Sequence, residues 1–309
     1  MSQFPVSEDI GKNEASVYNQ NMNFEHKKES SIKKQESENV ESGMKQDIEL
    51  ATRAGEGKAR ALEELYQGFF GSEENCEIFA RHIPNEIYDR ENATIVDAGS
   101  SQGTLGNYVR EKFRKNGSDA RLVMIDTNAV AMKQSSVQAE KIEASLMETP
   151  LASETADLVI LRSVLQYVEP KYQAKILEEI KRILKPGGIL VSQFCSYDTQ
   201  EQANCFNGLF DVAKRRVNFC GKEEGIDLHR KIFDKIEEIA DGPTLYETFD
   251  EFFVRRINAP EEQMKEAKEY IRQNIEGLQG VLTHHEEPYA WQIPYTIVTC
   301  KKTKNIIEK

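Results

Sequence analysis

The sequence predicts an α/β fold, a mostly parallel sheet with helices on both faces. Three observations carry this reading. Short apolar runs recur between residues 94 and 194, and most are followed by a segment with helical periodicity. Two of them, ATIVD and RLVMID, close on a carboxylate, Asp97 and Asp126. The runs are near-continuously apolar, as strands covered on both faces must be.

The elements follow in order. Residues 1–46 are rich in Glu, Lys, Ser, Asn and Gln and poor in apolar types, which predicts a disordered polar tail ahead of a folded domain over 47–309. Ile48, Leu50, Ala51, Ala61, Leu62, Leu65 and Tyr66 fall largely at helical spacing, with an interruption at Gly55 and Gly57. A second helix covers 73–88, where Pro84 kinks or divides it. Next comes the first strand, a turn of small residues, a helix over 105–115, and the Asn116-Gly117 turn. The second strand, 121–126, leads to a helix over 129–137 and a weaker strand over 141–144. A fourth strand spans 156–161. Pro170 opens an amphipathic helix with Ile176, Leu177, Ile180, Ile183 and Leu184 on one face. Lys185-Pro186-Gly187-Gly188 then turns the chain into a fifth strand, 189–194, a structural role rather than a chemical one.

From 195 to 277 the sequence turns polar and helical, with candidate helices over 201–217, 227–240 and 260–274; it reads as a helical cap inserted after strand 5. Strands return around 280–283 and 295–300. They are expected to pair as an antiparallel hairpin on the sheet's edge.

Composition narrows the function. The chain has 309 residues, is 39% hydrophobic and carries a formal charge of −12, which disfavours a nucleic-acid partner because a phosphate backbone would be repelled. No apolar stretch approaches the roughly 20 residues that span a bilayer, and the first residues lack a basic, then apolar, leader pattern. The expectation is a cytoplasmic protein with no membrane partner. Five cysteines form no CxxC pair, so neither a disulfide framework nor a metal site is expected.

The chemistry is concentrated in ATIVDAGSSQGTLG, residues 93–106. It reads as a buried strand, a tight turn and a helix start, where glycine lets the backbone approach a ligand and free N–H groups are presented. A nicotinamide fingerprint wants G-x-G-x-x-G, whereas the glycines here stand at 99, 103 and 106 and Asp97 precedes the turn. A pyrophosphate would be repelled by that carboxylate. A cationic ligand suits it better.

D-x-G-x-S-x-G, the acid closing the second strand and LKPGG before the fifth together resemble the class I methyltransferases of small-molecule type, which use S-adenosyl-L-methionine. The resemblance runs from about residue 48 to 194 and over the final strands; the tail and the 195–277 segment carry no motif of it. It implies a Rossmann-like, seven-stranded, mostly parallel sheet with an antiparallel last strand. It also implies that Asp97, Gly99, Ser101 and Gly103 cradle the methionine part of the cofactor, the carboxylate facing the amino group. Ser101 stands where the family usually has glycine. By the same resemblance Asp126 accepts the ribose hydroxyls, and Ser145, five residues before Pro150 where the family commonly has an acid, lines the adenine pocket with Leu146. Arg162, with Ser163, follows the fourth strand, where the family places cofactor and substrate contacts.

The recipient of the methyl group is less legible. The N/D-P-P-Y/F/W run of enzymes that methylate base nitrogens is absent, its place reading LRSV. Cys195, after the fifth strand, reads as a packed thiol rather than a nucleophile. Candidate bases or acceptor-binding groups are His229, His284, His285 and Tyr289; Trp291 either lines a pocket with Tyr289 or anchors the late loop. Transfer from a sulfonium relies largely on positioning, with a base needed only for a protonated acceptor. The sequence therefore predicts a methyltransferase acting on a small-molecule acceptor. Its rivals are a protein or RNA methyltransferase and a cofactor-binding module without turnover.

Overall fold

The computed structural model describes residues 68–303. The expected tail and the helical clusters between 47 and 66 lie outside the described residues.

Helix α1, Glu73–Ala80, is capped by Ser72, whose hydroxyl accepts the Asn75 amide, and α2, Asn85–Tyr88, follows Pro84, so the proline divides the predicted helix. The Rossmann-like series then runs β1 Thr94–Ala98, α3 Thr104–Lys115, β2 Arg121–Asp126, α4 Ala129–Gln134, β3 Glu140–Glu143, β4 Ala156–Arg162, a 3₁₀ turn Leu165–Tyr167, α5 Pro170–Ile183 and β5 Leu184–Tyr197. Beyond it come α6 Gln200–Val212, β6 Cys220–Gly221, α7 Lys222–Ile232, β7 Lys235–Thr248, a π-helix Asp250–Arg256, α8 Glu261–Gln273, β8 Leu282–His284 and β9 Ala290–Lys301.

Among the described residues the sheet has nine strands rather than seven. Its order is β3-β2-β1-β4-β5-β9-β7, with β6 against β5 and β8 against β9. The pairs among β1 to β5 are parallel, and β9 runs antiparallel to both β5 and β7. Consecutive strands lie on opposite sides of β1, which places a topological switch point between β1 and β4, where open α/β sheets hold their ligands.

Three expectations change. The late strands do pair antiparallel, β8 with the start of β9, but not as a hairpin on the sheet's edge: β9 lies between β5 and β7, because its apolar residues are buried on both faces, as an interior strand requires. The helix expected over 227–240 ends at Ile232, and KIEEIADGPTLYET becomes the long edge strand β7. Helix-favouring Glu and Ala yield there to pairing with β9 from Lys235 to Thr248, a tertiary override of local propensity. The 195–277 segment is thus helical at α6, α7, the π-helix and α8, yet it also supplies strands to the sheet. Finally, LKPGG is a bulge within β5: Ala156 opposes Leu184 and Leu158 opposes Ile189, while Lys185 ion-pairs with Asp157 at 2.6 Å.

The core has two faces. Val96, Val159, Leu161 and Leu190 pack under α5 and α7, while Ile95, Leu158, Ile160 and Val191 pack under α1 to α3. A third, aromatic cluster joins Phe206, Phe210, Phe252, Phe253 and Trp291. Since strand side chains alternate, Asp97, Asp126, Arg162 and Gln193 fall on the face of α1 to α3.

Candidate functional site

The turn between β1 and α3 is built from residues that tolerate unusual backbone. Gly99, Ser101 and Gly103 all have positive φ, of 72°, 48° and 77°. A β-carbon at Gly99 would overlap the side chain of Val164, and one at Gly103 would lie 2.6 Å from the Met124 sulfur, so both positions need glycine for space as well as φ. Ser101 adopts the left-handed region despite its β-carbon. That conformation accounts for the glycine usual at this place, and the serine adopts it at the cost of some strain.

Two carboxylates brace this turn. Asp97, 4% exposed, accepts the Gly106 amide at 3.1 Å through Oδ2, and a β-carbon on Gly106 would stand 2.6 Å from that oxygen. Helix α3 therefore sits directly against the acid. Burial pushes the Asp97 carboxyl up to about 7, with the Arg162 cation and the Gly106 amide pulling it back and Asp126 adding to the rise. Asp126 closes β2, accepting the Ser101 amide at 2.7 Å through Oδ2 and the Asn128 amide at 2.8 Å through Oδ1. Each of its oxygens keeps a second lone pair for a ligand hydroxyl.

The other predicted residues flank this centre. Ser145 and Leu146 follow β3; the Ser145 hydroxyl accepts the Met147 amide at 3.2 Å and Leu146 is buried. The Ala144 amide donates to the Asp126 carbonyl at 3.2 Å, which ties that loop to the acid. Arg162 ends β4, two residues beyond the Asp97 partner Ile160. Its guanidinium lies 5.5 Å from the Phe70 ring centroid and 3.8 Å from the Cys76 sulfur. The structure thus gathers the seven predicted cofactor residues from Asp97 to Leu146, with Arg162, around the carboxyl ends of β1, β2, β3 and β4.

It does not bring the four candidate bases there. His229 is completely buried on α7, on the opposite face of the sheet, stacked 5.3 Å from Phe194; its Nδ1 hydrogen donates to the Gly225 carbonyl at 2.7 Å. Burial holds its imidazole down to about 4, so it is neutral. His284 and His285 are exposed at the β8 turn, and neither is hydrogen-bonded or ion-paired to the acids. Tyr289 is buried in the aromatic cluster beside Trp291. Trp291 itself is an anchor, wholly buried with its indole N–H donating to Glu247 at 3.3 Å. Glu247 in turn pairs with buried Arg256 at 3.1 Å. Cys195 is buried with its thiol pushed well above the usual range by burial, a packed residue as expected.

Sequence reasoning passed over three residues of the centre: Gly106, Val164 and Gln193. Gly106 was visible as the last glycine of the turn motif. Val164 and Gln193 show no signal except their position after β4 and near the end of β5.

The comparisons with known proteins meet this geometry. The family model of the methyltransferase domain matches residues 96–192, from the middle of β1 into β5. The chain carries a class I methyltransferase domain. The cofactor of that domain is S-adenosyl-L-methionine. A carboxy-S-adenosyl-L-methionine synthase from Erwinia tasmaniensis is 29% identical over 115 residues, 34% of this chain and 45% of that protein. One from Aeromonas hydrophila is 30% identical over 111 residues, 34% of this chain and 44% of that protein. The chain thus spans less than half the length of these relatives. In fold it is similar to a candidate methyltransferase from Bacillus halodurans, with a TM-score of 0.58 and 17% identity over 73% of this chain and 99% of the other. The YcgJ protein of Bacillus subtilis gives a TM-score of 0.57 and 11% identity over the same shares. No helix among the described residues is long and apolar enough to cross a membrane.

Proposed function

We propose that the protein is an S-adenosyl-L-methionine-dependent methyltransferase acting on a small-molecule acceptor. One observation carries the reading: Asp97, near the end of β1, accepts the Gly106 amide, and Asp126, closing the neighbouring β2, accepts the Ser101 amide, so that the two acids flank a turn that a β-carbon would fill. That donor and acceptor set suits a ligand with a cationic amine and a vicinal diol. Asp97 would hold the amino group, the turn at Gly99, Ser101 and Gly103 the methionine chain, Asp126 the ribose hydroxyls, and Ser145 and Leu146 the adenine. Arg162 would border the reacting end.

The bound cofactor supplies an activated methyl group on a sulfonium, with a neutral thioether as leaving group. The chain's own contribution is to hold donor and acceptor in line and to keep the Asp97 carboxyl ionised once a cation faces it. None of His229, His284, His285 or Tyr289 takes a proton in this scheme. The acidic surface supports a small acceptor over RNA. Incubation with labelled cofactor and fractionated metabolites should label a small molecule, and Asp97→Ala should abolish the transfer. Persistent transfer in that variant overturns the assignment.

The curated relatives favour a second reading, in which the product is built on the cofactor itself, as their names state. Mass spectrometry of the nucleosides in the same incubation separates the two. A carboxylated cofactor supports the second reading, and S-adenosylhomocysteine supports the first. Tight cofactor binding with neither product leaves a binding module.

A further inference from the structure

We infer that Gln193 and Arg162 together form a receptor for a carboxylate at the reacting end of the site. The inference rests on the methyltransferase reading for what the site holds, but its chemistry comes from two side chains. Gln193 is 1% exposed, and both its amide oxygen and its amide nitrogen are buried without a hydrogen-bond partner. A buried amide left wholly unsatisfied costs several kcal/mol by the usual order of magnitude, so a fold keeps one only where something else meets it. Gln193 is the register partner of Arg162, on the same face as Asp97, and its carbonyl accepts the Ser163 amide at 2.8 Å.

Arg162 is the second half. Its guanidinium has a thiol and the Phe70 ring as neighbours, and among the described residues no carboxylate lies within ion-pair distance of it. A guanidinium fork next to an amide donor suits a carboxylate, which can take two N–H bonds from the fork and one from the amide. The Gln193 oxygen then remains for a hydroxyl or amine on the same ligand. Phe69, Phe70 and Tyr295, with ring centroids 5.0 to 6.4 Å apart, give the neighbourhood an apolar wall. Two ligands bring a carboxylate here: the cofactor, through its amino-acid end, and the acceptor.

The test uses the full chain and three variants, Gln193→Leu, Arg162→Lys and Arg162→Met. Gln193→Leu removes the amide without touching any charge. Arg162→Lys keeps the charge beside Asp97 while losing the fork. Calorimetry is run with S-adenosylhomocysteine, which has the amino-acid end, with 5′-methylthioadenosine, which lacks it, and with benzoate as a simple carboxylate with an apolar body.

If the cofactor is the source, Gln193→Leu and Arg162→Lys weaken S-adenosylhomocysteine by about tenfold or more and leave methylthioadenosine unchanged. If the acceptor is the source, both nucleosides bind as before, and benzoate binding to the nucleoside-loaded chain is lost in all three variants. Thermal denaturation of Gln193→Leu should show equal or higher stability, since an unpartnered polar group has been replaced by an apolar one. Binding of all three probes that is unchanged in every variant overturns the receptor, as does lower stability with unchanged binding. Failure of the wild-type chain to bind either nucleoside overturns the methyltransferase reading instead, while benzoate binding lost in the variants would still support the receptor.

Discussion

The Oδ2 atom of Asp126 accepts the backbone N–H of Ser101 at 2.7 Å, so the acid at the end of one strand fixes the turn that follows its neighbour. The same carboxylate accepts Asn128 at 2.8 Å, at the start of α4. Asp126 is therefore both a ligand group and a brace. Asp126→Ala should lower cofactor affinity by at least tenfold and fold stability by about 1 kcal/mol, the usual worth of a charge-assisted hydrogen bond to backbone in a half-exposed place. Calorimetry and urea denaturation on the one variant read both. Lost affinity with unchanged stability would mean that the brace contributes nothing.

Ser101 holds φ at 48° with a β-carbon that the region disfavours. Ser101→Gly should raise stability by about 0.5 to 1 kcal/mol, the relieved strain outweighing the extra freedom glycine gains in the unfolded chain. Its side chain is exposed, and the bond to Asp126 comes from its backbone, so cofactor affinity should not fall. Weakened binding in this variant would instead give the hydroxyl a role at the ligand.

These two residues show what a sequence can and cannot convey. Asp97, Asp126 and the glycines were legible because strand, turn and helix are local, and the turn's backbone demands are written in residue type. The parallel series from β1 to β5 was legible for the same reason: each apolar run declares itself. What failed was non-local. KIEEIA, residues 235–240, reads as helix until β9 pairs with it, and nothing in its own residues announces that partner. His229 offers the residue type of a base, and only packing against Phe194 reveals that it is buried and neutral. Gln193 gains its interest from two missing hydrogen bonds, which no sequence can show.

His229→Phe should leave methyl transfer at neutral pH unchanged, because the imidazole lies across the sheet from Asp97 and phenylalanine keeps the stack on Phe194. Its effect should appear in acid. Burial lowers this group from 6.5 to about 4, so the unfolded chain takes up a proton that the folded chain refuses. The stability it confers is complete above pH 6.5 and is lost as pH falls toward 4. Removing it should spare the fold about 2 kcal/mol of that loss at pH 5, read as a smaller drop in Tm between pH 7 and pH 5 than the wild-type chain shows. A variant that loses transfer at pH 7 with its Tm intact would restore His229 as a base.

Asp97 titrates in the opposite sense. Burial raises its carboxyl from 3.8 to about 7, so between those values the folded chain keeps a proton that the unfolded chain has lost. This group therefore makes the fold less stable as pH rises through that window, with no further change above it. Ligand binding reverses the preference, because a cationic amine pairs only with the ionised carboxyl, and a proton must leave as the amine arrives. Affinity for S-adenosylhomocysteine should rise about tenfold from pH 6 to pH 8, following the ionised fraction of a group that titrates near 7. Calorimetry in two buffers of different ionisation enthalpy should detect the released proton at pH 7 and none at pH 8.5. Asp97→Asn should bind weakly at every pH and release no proton. An affinity that is flat from pH 6 to pH 8 in the wild-type chain would show that the ligand's amine is held elsewhere.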